Sequence, residues 1–402
     1  MKFMKKVMTN LKYIRLMDLI KILIFFVAFP CSIVVKLYNK LFNKRIWLIS
    51  ESETTARDNG LYLFLYMMNN NLDNGLYYVI DKKCDDYSKL KKYNNVIQFG
   101  SLKHWIYYLA ADRQISSQKD SNPLPFFFYV LHIYLNLFNH RVFLQHGITK
   151  DDSEWLYYKN TKFKMFICGA KEEYEFIKEK FGYPEDNLKY TGFARFDNLN
   201  NTKYDNKKIL IMPTWRNWLG RETNGLSKVE IFENSTYYKS WMKVINDKKL
   251  SDYLVNNDII AYFYPHAGIL KYADSFKSLK NIEIVKNTNL DIQKVLIESA
   301  LMITDYSSVY MDFAYMKKPI IYYQFDIDEY RKKQYSEGYF NYEDDGFGPV
   351  VKSCSRLVDE IIKSIDNNYI LEPKYLKRMT DFFELKDDQN CKRIYDVIEG
   401  ME

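Results

Sequence analysis

Two histidines occupy matching positions in the two halves of the chain. The apolar run Val142–Leu144 ends just before His146 and Gly147, and the apolar run Ile259–Tyr264 is followed closely by His266. Ligands of open parallel sheets bind beyond the carboxyl ends of the strands, so both imidazoles are expected to face one cleft. A glycine beside His146 lets the backbone approach a ligand closely. We therefore predict that His146 and His266 are catalytic and that Gly147 contacts substrate. The other histidines are expected to be structural: His104, His132 and His140.

A serine pair and an aspartate predict a phosphate site in the second half. Ser307 and Ser308 follow the predicted strand Leu301–Thr304 and open the predicted helix Val309–Met316. The unpaired N–H groups and the dipole of a helix start favour anions, and hydroxyl groups there either bind phosphate oxygens or cap the helix. Asp312 lies about one turn deeper, where its carboxylate can accept hydrogen bonds from ribose hydroxyls. Together these residues predict a site for a nucleoside diphosphate.

Thr214 and Arg216 follow another predicted strand, Ile209–Met212, and are candidate substrate contacts. An arginine at such a strand end suits bidentate recognition of phosphate, although a surface ion pair fits the local sequence equally well. The single Asp326-x-Asp328 pair is of the kind found in metal-dependent sugar transferases, but one such pair is common by chance. Because the sequence contains no P-loop, no zinc-type spacing and no complete dinucleotide fingerprint, we expect neither a metal ion nor a cofactor.

These residues require two sets of parallel strands to position them. Short apolar runs alternate with helical stretches, and the alternation starts again after the polar stretch Asn198–Lys208, the best linker candidate. Such alternation predicts parallel βαβ units with helices on both faces of each sheet. We predict an α/β protein with an N-terminal segment at 1–45 and two doubly wound Rossmann-type domains, at 46–203 and 204–402, that face a cleft. The predicted strands are Ile46–Ser50, Tyr77–Ile80, Val96–Phe99, Gln114–Ser116, Val142–Leu144, Met165–Cys168, Ile209–Met212, Ile259–Tyr264, Ile282–Ile284, Leu301–Thr304 and Ile320–Tyr323. The predicted helices are Asn59–Asn70, His104–Ala111, Phe126–Phe138, Lys171–Phe181, Tyr237–Lys248, Ile292–Ser299 and Val309–Met316.

The formal net charge of +7 originates in the N-terminal segment. Residues 1–45 carry ten basic side chains and one acidic side chain, whereas the other 357 residues carry 48 basic and 50 acidic side chains. A nucleic-acid-binding protein is expected to carry its positive charge on the folded body. We therefore expect no nucleic-acid partner.

Between its basic clusters, this segment contains the uncharged run Ile22–Val35, interrupted by Pro30. The run has fourteen residues, fewer than the roughly 20 that a spanning helix needs. Basic residues beside an apolar helix favour an anionic lipid surface. We predict a peripheral or monotopic anchor on the cytoplasmic face of the cell membrane. A core helix, a signal peptide and a true span remain as alternatives. The five scattered cysteines are typical of a reducing compartment.

An ordered set of motifs resembles the CDP-glycerol glycerophosphotransferases of teichoic-acid synthesis. The motifs are Gln145–Lys150, Thr191–Asp197, Pro213–Arg216, Pro265-His266, Thr304–Phe313 and Gly346–Val350. The resemblance implies a GT-B-like fold, a cytidine nucleotide in the second domain and a lipid-linked acceptor at the inner membrane face. It also implies that His146 is the base. The residues that would hold pyrophosphate and ribose are His266, Ser307, Ser308 and Asp312.

The resemblance implies transfer of an alditol phosphate, with glycerol phosphate as the first choice, from a CDP-alditol to a hydroxyl of a lipid-linked saccharide or polymer. CMP is the expected leaving product. Ile148 and Thr149 depart from the family pattern, which often has a proline near this position, and this suggests another acceptor or another CDP-alditol. The alternatives are a ribitol-phosphate transferase, a GT-B glycosyltransferase that uses a nucleotide sugar, and a catalytically inactive membrane scaffold.

Overall fold

The computed structural model contains two parallel sheets that follow each other along the chain. It describes residues 16–119, 121–124, 140–200, 203–219, 228–286 and 291–401. The predicted helix Phe126–Phe138 lies outside these residues.

The first sheet has seven strands in the order β3-β2-β1-β4-β5-β6-β7, and every neighbouring pair is parallel. Most of its residues are buried, because helices cover both faces of a sheet of this kind. Its strands are β1 Trp47–Ser50, β2 Leu76–Ile80, β3 Val96–Gln98, β4 Arg113–Ser116, β5 Arg141–Phe143, β6 Met165–Cys168 and β7 Leu188–Tyr190.

The second sheet has six parallel strands in the order β10-β9-β8-β11-β12-β13. Numbered within each half, both sheets contain the order 3-2-1-4-5-6 of a Rossmann fold. The predicted pair of Rossmann-type α/β domains is therefore confirmed. The strands are β8 Asp205–Met212, β9 Ile260–Phe263, β10 Ile282–Ile284, β11 Ser299–Thr304, β12 Ile320–Tyr323 and β13 Val350–Val351.

Helices connect the strands of both sheets. Several begin at a side chain that accepts a hydrogen bond from the first turn, such as Ser101 and Ser235, as is typical of N-caps. The helices are α1 Leu16–Leu41, α2 Asn59–Asn69, α3 Leu102–Ala110, α4 Tyr158–Thr161, α5 Lys171–Lys180, α6 Lys228–Asn234, α7 Thr236–Ile245, α8 Lys248–Asn256, α9 Ile292–Glu298, α10 Tyr310–Tyr315, α11 Ile327–Lys333, α12 Cys354–Asp366, α13 Pro373–Phe382 and α14 Asn390–Glu399. Single 3₁₀ segments occupy Asp85–Lys89, Glu154–Leu156, Glu185–Asn187, Ala194–Asn198 and Ala267–Ser275.

The differences from the predicted strands lie at the edges and at the link between the halves. Two outer strands were not predicted: β7 has a lysine, Lys189, at its centre, and β13 has only two residues. Strand β8 begins at Asp205, so the predicted linker Asn198–Lys208 contains the first half of a strand. That half is polar because its residues are partly or fully exposed, whereas the second half is buried.

The last helix, α14, returns to the first half of the protein. The ring of Tyr395 packs 5.9 Å from that of Trp47 in β1. Asp197 accepts hydrogen bonds from the backbone N–H groups of Asn390 and Cys391, at 3.0 and 2.8 Å. A division of the chain at residue 203 separates the two sheets, but it assigns to the second domain a helix that packs on the first.

Helix α1 lies against the body of the first half. Ala28 is fully buried, and Phe25 and Val35 pack with it against Trp105 and Leu109 of α3. Because α1 shares a hydrophobic core with α3, one face of the N-terminal segment is a structural part of the domain.

The opposite face of α1 is apolar and exposed. Leu23, Phe26, Val34, Leu37 and Leu41 are each more than three-fifths exposed. The helix continues through Pro30 and has 26 residues, whereas the uncharged run Ile22–Val35 within it has fourteen. By length and composition, Leu19–Leu41 is able to cross a membrane.

Candidate active site

The two predicted catalytic histidines lie at the junction of the two sheets. His146 follows β5 and His266 follows β9, at the carboxyl ends of their strands. A positive charge on His146 lowers the pKa of His266, so the imidazoles lie within electrostatic reach of each other. A Cβ built on Gly147 would lie 2.6 Å from the Ser308 hydroxyl oxygen. The two halves therefore meet where His146, Gly147, His266 and Ser308 converge.

The loop that carries His146 is fixed by a buried carboxylate. Glu173 in α5 accepts hydrogen bonds from the backbone N–H groups of Thr149 and Gly169 and from the Gln145 side chain, at 2.5, 2.6 and 3.0 Å. Burial raises the pKa of Glu173 to about 7. Gln145 has a left-handed φ of 59°, a costly conformation for a residue other than glycine. This strained residue precedes His146 directly, and Glu173 holds it in place.

The surroundings of His146 lower the pKa of its imidazole. The ring is exposed to the cleft, yet protein groups surround it. Burial is the largest effect and lowers its pKa; the charge of Asp58 opposes this, and the charge of Arg195 reinforces it. The nearby backbone of Ser117 also favours the protonated form. A neutral imidazole with a free lone pair is the form that accepts a proton.

His266 is held in a defined orientation by its own turn. Its Nδ1 accepts a hydrogen bond of 3.0 Å from the backbone N–H of Gly268. Since a backbone N–H can only donate, the neutral ring carries its proton on Nε2. The Trp215 ring lies nearly parallel to the imidazole, at 13° and 6.0 Å between centroids. Burial lowers the pKa of His266, so the ring offers Nε2–H as a neutral donor.

Hydroxyl groups complete the second side of the cleft. Ser307 accepts a hydrogen bond from the backbone N–H of Val309, at 3.3 Å, and so acts as a local cap. Ser308 is half-buried and lies opposite Gly147. Thr214 donates its backbone N–H to Asp305 at 2.8 Å, while its hydroxyl is buried without a hydrogen-bond partner among the described residues. Of these hydroxyls, that of Ser308 is the better placed to contact an anionic ligand, because the Thr214 hydroxyl is buried in this structure.

Arg216 does not reach the cleft surface in this structure. Its side chain is fully buried, with nitrogen atoms 2.9–3.0 Å from the carboxylate oxygens of Asp305 and Asp326. The rings of Tyr306 and Tyr237 lie 4.9 and 5.0 Å from the guanidinium carbon. Of the two alternatives for Arg216, the structure therefore contains the ion pair, in buried rather than surface form. The pair joins the segments after β8, β11 and β12.

The buried pair also occupies the first aspartate of Asp326-x-Asp328. Both carboxylate oxygens of Asp326 accept hydrogen bonds from Arg216, and Tyr306 donates to one of them at 3.1 Å. Within the described ranges, no group of three or more His, Cys, Asp or Glu side chains is arranged to hold a metal ion. Asp326 is therefore a partner of Arg216 in the core of the second half.

Asp312, predicted to contact ribose, is engaged by the first half instead. Arg195 contacts both of its carboxylate oxygens, at 2.7 Å each, and Gln293 donates to one at 3.2 Å. The third nitrogen of the guanidinium lies 2.9 Å from Asp58. Asp312 is only 2% exposed. In this arrangement it connects the two halves of the protein and faces no open space.

The family of the chain follows from its sequence over nearly its whole length. Residues 32–400 match the model of the family described as CDP-Glycerol:Poly(glycerophosphate) glycerophosphotransferase. The chain belongs to this glycerophosphotransferase family. The resemblance drawn from the motifs is confirmed.

Individual relatives agree with this assignment. The minor teichoic acid biosynthesis protein GgaB of Bacillus subtilis (strain 168) is 36% identical over 366 residues, which cover 89% of this chain and 40% of GgaB. The teichoic acid glycerol-phosphate transferase of Staphylococcus aureus (strain NCTC 8325 / PS 47) is 24% identical over 278 residues, 63% of each protein. The chain thus spans less than two thirds of either relative. The solved structure of the wall teichoic acid polymerase TagF shares the fold, with a TM-score of 0.65 at 18% identity over 96% of this chain and 98% of the chain in that structure.

In this member of the glycerophosphotransferase family, sequence reasoning missed the residues that hold the site together. Arg195 was visible only as part of the motif Thr191–Asp197, with no role attached to it. Asp58 could have been recognised as a helix N-cap, and Glu173 as an acid in the first turn of α5. None of these signals indicates which distant side chain is the partner.

Removing the Arg216 guanidinium tests the buried ion pair in the second half. Arg216→Met leaves Asp305 and Asp326 buried without their counter-charge, and we expect the free energy of unfolding to fall by about 3–5 kcal/mol. Arg356→Met is the control, because Arg356 is 68% exposed and lies 3.8 Å from Glu360; its expected cost is about 0–1 kcal/mol. Urea unfolding of the purified variants measures both values. Equal costs for the two variants would contradict the assignment.

Proposed function

We propose that this protein transfers an alditol phosphate, with glycerol phosphate as the first choice, from a CDP-alditol to a hydroxyl of a lipid-linked acceptor, and releases CMP. The observation that carries the proposal is the convergence of His146 and Gly147 with Ser308 and His266 in one cleft, in a chain of this family. A base stands on one side of that cleft, and donors suited to an anion stand on the other. The donor belongs to the second half and the acceptor to the first.

The proposed chemistry is a substitution at phosphorus. The acceptor oxygen forms a bond to the phosphorus next to the alditol, and the bond from this phosphorus to the bridging oxygen of the diphosphate breaks. His146 takes the proton of the attacking hydroxyl, and the departing electron pair leaves with CMP. A positioned base typically contributes about 10²–10⁴-fold to the rate.

The second side of the cleft would stabilise the charge on the diphosphate. His266 offers a neutral Nε2–H donor, and Thr214, Ser307 and Ser308 contribute hydroxyl groups. Loss of one such donor commonly raises the barrier by about 3–4 kcal/mol. Arg216 and Asp312 would support these groups from the core, because their own charged atoms are engaged by other side chains.

We also propose that α1 holds the protein on the anionic cytoplasmic face of the cell membrane as a monotopic anchor. One face of α1 is fixed to α3, so the helix lies along the body of the protein. The other face presents exposed apolar side chains, and Lys36, Lys40 and Lys44 are exposed near its carboxyl end. Each basic residue near an anionic leaflet contributes on the order of 1 kcal/mol. This arrangement would keep the cleft close to a lipid-linked acceptor.

CMP release from a panel of donors tests the proposed reaction. We expect release from CDP-glycerol or CDP-ribitol in the presence of a lipid-linked acceptor, and no turnover of UDP-sugars. His146→Ala and His266→Ala are each expected to lower the rate by about 10²-fold or more, because one removes the base and the other a donor. His140→Ala is the control, because His140 is a half-buried histidine at the start of β5. Near wild-type rates in both cleft variants, or turnover of UDP-sugars alone, would reject the proposal.

Vesicle sedimentation tests the membrane anchor. Leu23, Phe26 and Val34 are 66–68% exposed on α1, so their replacement by Gln should leave the fold intact. Because burying one such side chain contributes about 1.5–3 kcal/mol, binding of the triple variant to phosphatidylglycerol vesicles should weaken by tenfold or more. The control replaces exposed apolar residues of the second half by Gln: Val255, Ile370 and Leu376. Equal vesicle binding by both triple variants would refute the anchor.

A further inference from the structure

The first turn of α2 is built against the loop that carries His146. Asn59 donates hydrogen bonds to the carbonyl oxygens of Gln145 and Leu144, at 2.8 and 3.2 Å. The backbone N–H of Gly60 donates to the hydroxyl of Ser117 at 2.8 Å, and the backbone of Ser117 lies close enough to the His146 ring to raise its pKa. The first turn of α2 therefore holds both the main chain before His146 and a residue beside its imidazole.

Asp58 stands at the head of this turn. Its Oδ1 accepts a hydrogen bond from the backbone N–H of Asn59 at 2.7 Å and another from the Arg195 guanidinium at 2.9 Å. Arg195 also donates its backbone N–H to the Asn59 side chain at 3.1 Å. The second carboxylate oxygen of Asp58 accepts no hydrogen bond within the described part of the chain. Asp58 is thus held rigidly by one oxygen only.

Asp58 is the carboxylate whose charge acts on His146. The negative charge of Asp58 favours the protonated ring, and a positive ring in turn lowers the pKa of Asp58. The positive charge of Arg195 lowers the pKa of His146 and so opposes the effect of Asp58. In the second half, the charge of His146 lowers the pKa of His266. Burial raises the pKa of Asp58, the positive charges of Arg195 and His146 lower it, and the charge of Asp312 raises it.

We propose that Asp58 is a positioning residue for His146, which holds the imidazole through the first turn of α2 and stabilises the imidazolium formed when the ring takes the acceptor proton. The inference rests on the proposed function. The backbone of Ser117 also favours the protonated ring. In this proposal Asp58 acts as a carboxylate, and the imidazolium returns its proton to solvent after CMP leaves. Arg195 fixes Asp58 and prevents its carboxylate from turning away.

The competing role is that of a simple N-cap, and one substitution separates the two. Asp58→Asn retains an oxygen that accepts from Asn59 and from Arg195, and asparagine caps helices as well as aspartate does. The variant therefore removes the charge and leaves the cap. A cap alone predicts that Asp58→Asn behaves as the wild type, whereas the positioning role predicts a change at His146.

The test uses the full-length protein in detergent and two readouts. The first is the titration of the His146 ring by NMR, with its signal assigned by its loss in His146→Ala. The second is the pH profile of kcat/KM for CMP release from CDP-glycerol, or from CDP-ribitol if that is the donor used. In Asp58→Asn we expect the His146 pKa and the acidic limb of the profile to fall by about one unit or more, and the plateau rate to fall by about tenfold or more.

Asp247→Asn is the matched control, because Asp247 caps α8 through a hydrogen bond of 2.9 Å from the backbone N–H of Leu250. It is expected to change neither readout. An unchanged His146 titration and an unchanged profile in Asp58→Asn would overturn the inference. If the wild type releases no CMP from any CDP-alditol, the proposed function fails, and the NMR titration then decides the role of Asp58 separately.

Discussion

The buried guanidinium of Arg195 is the interaction on which the arrangement of the two halves depends. It extends from the first half to contact both oxygens of Asp312 in the second half, and it holds Asp58 with its remaining nitrogen. An arginine that is 3% exposed is tolerated only when its charge is fully matched. Asp312 lies on the helix that follows the serine pair, and Asp58 precedes the helix whose first turn holds the loop before His146. This one side chain therefore connects the segments that carry the base and the anion-binding groups.

A second buried arginine organises the donor side in the same way. Arg216 joins Asp305 and Asp326, which fixes the segments after three neighbouring strands. The side chains proposed to carry the chemistry are few and uncharged near pH 7: His146, His266 and hydroxyl groups. The charged side chains of Arg195, Arg216 and their aspartate partners are buried behind these groups. They act by holding the reacting groups in position and by their electrostatic field. This division suits phosphoryl transfer, where most of the catalytic effect comes from positioning and electrostatic stabilisation.

The sequence predicted the strands, and the positions of His146 and His266 after two of them, because both follow from local rules. Parallel strands buried on two faces read as apolar runs, and their carboxyl ends must meet at one edge. The partners of Arg195, Arg216 and Asp312 could not be predicted, because 117 residues separate Arg195 from Asp312 and 110 separate Arg216 from Asp326. From sequence alone, a charged residue in a motif is interpreted as a ligand contact, because its oppositely charged partner in the fold is not visible. The face of α1 that packs on α3 could not be predicted either, because Ala28 and Phe25 on that face are apolar like the exposed residues beside them.

A double-mutant cycle between Arg195 and Asp312 tests most directly whether one buried ion pair joins the halves. Arg195→Gln, Asp312→Asn and the double variant are compared by urea unfolding. The coupling energy is the difference between the loss of unfolding free energy in the double variant and the sum of the losses in the two single variants. We predict a coupling energy above about 1.5 kcal/mol, as found for close charge pairs, with CMP release lost in both single variants. A coupling energy near zero would contradict the account, since the two halves would then be held together by other contacts.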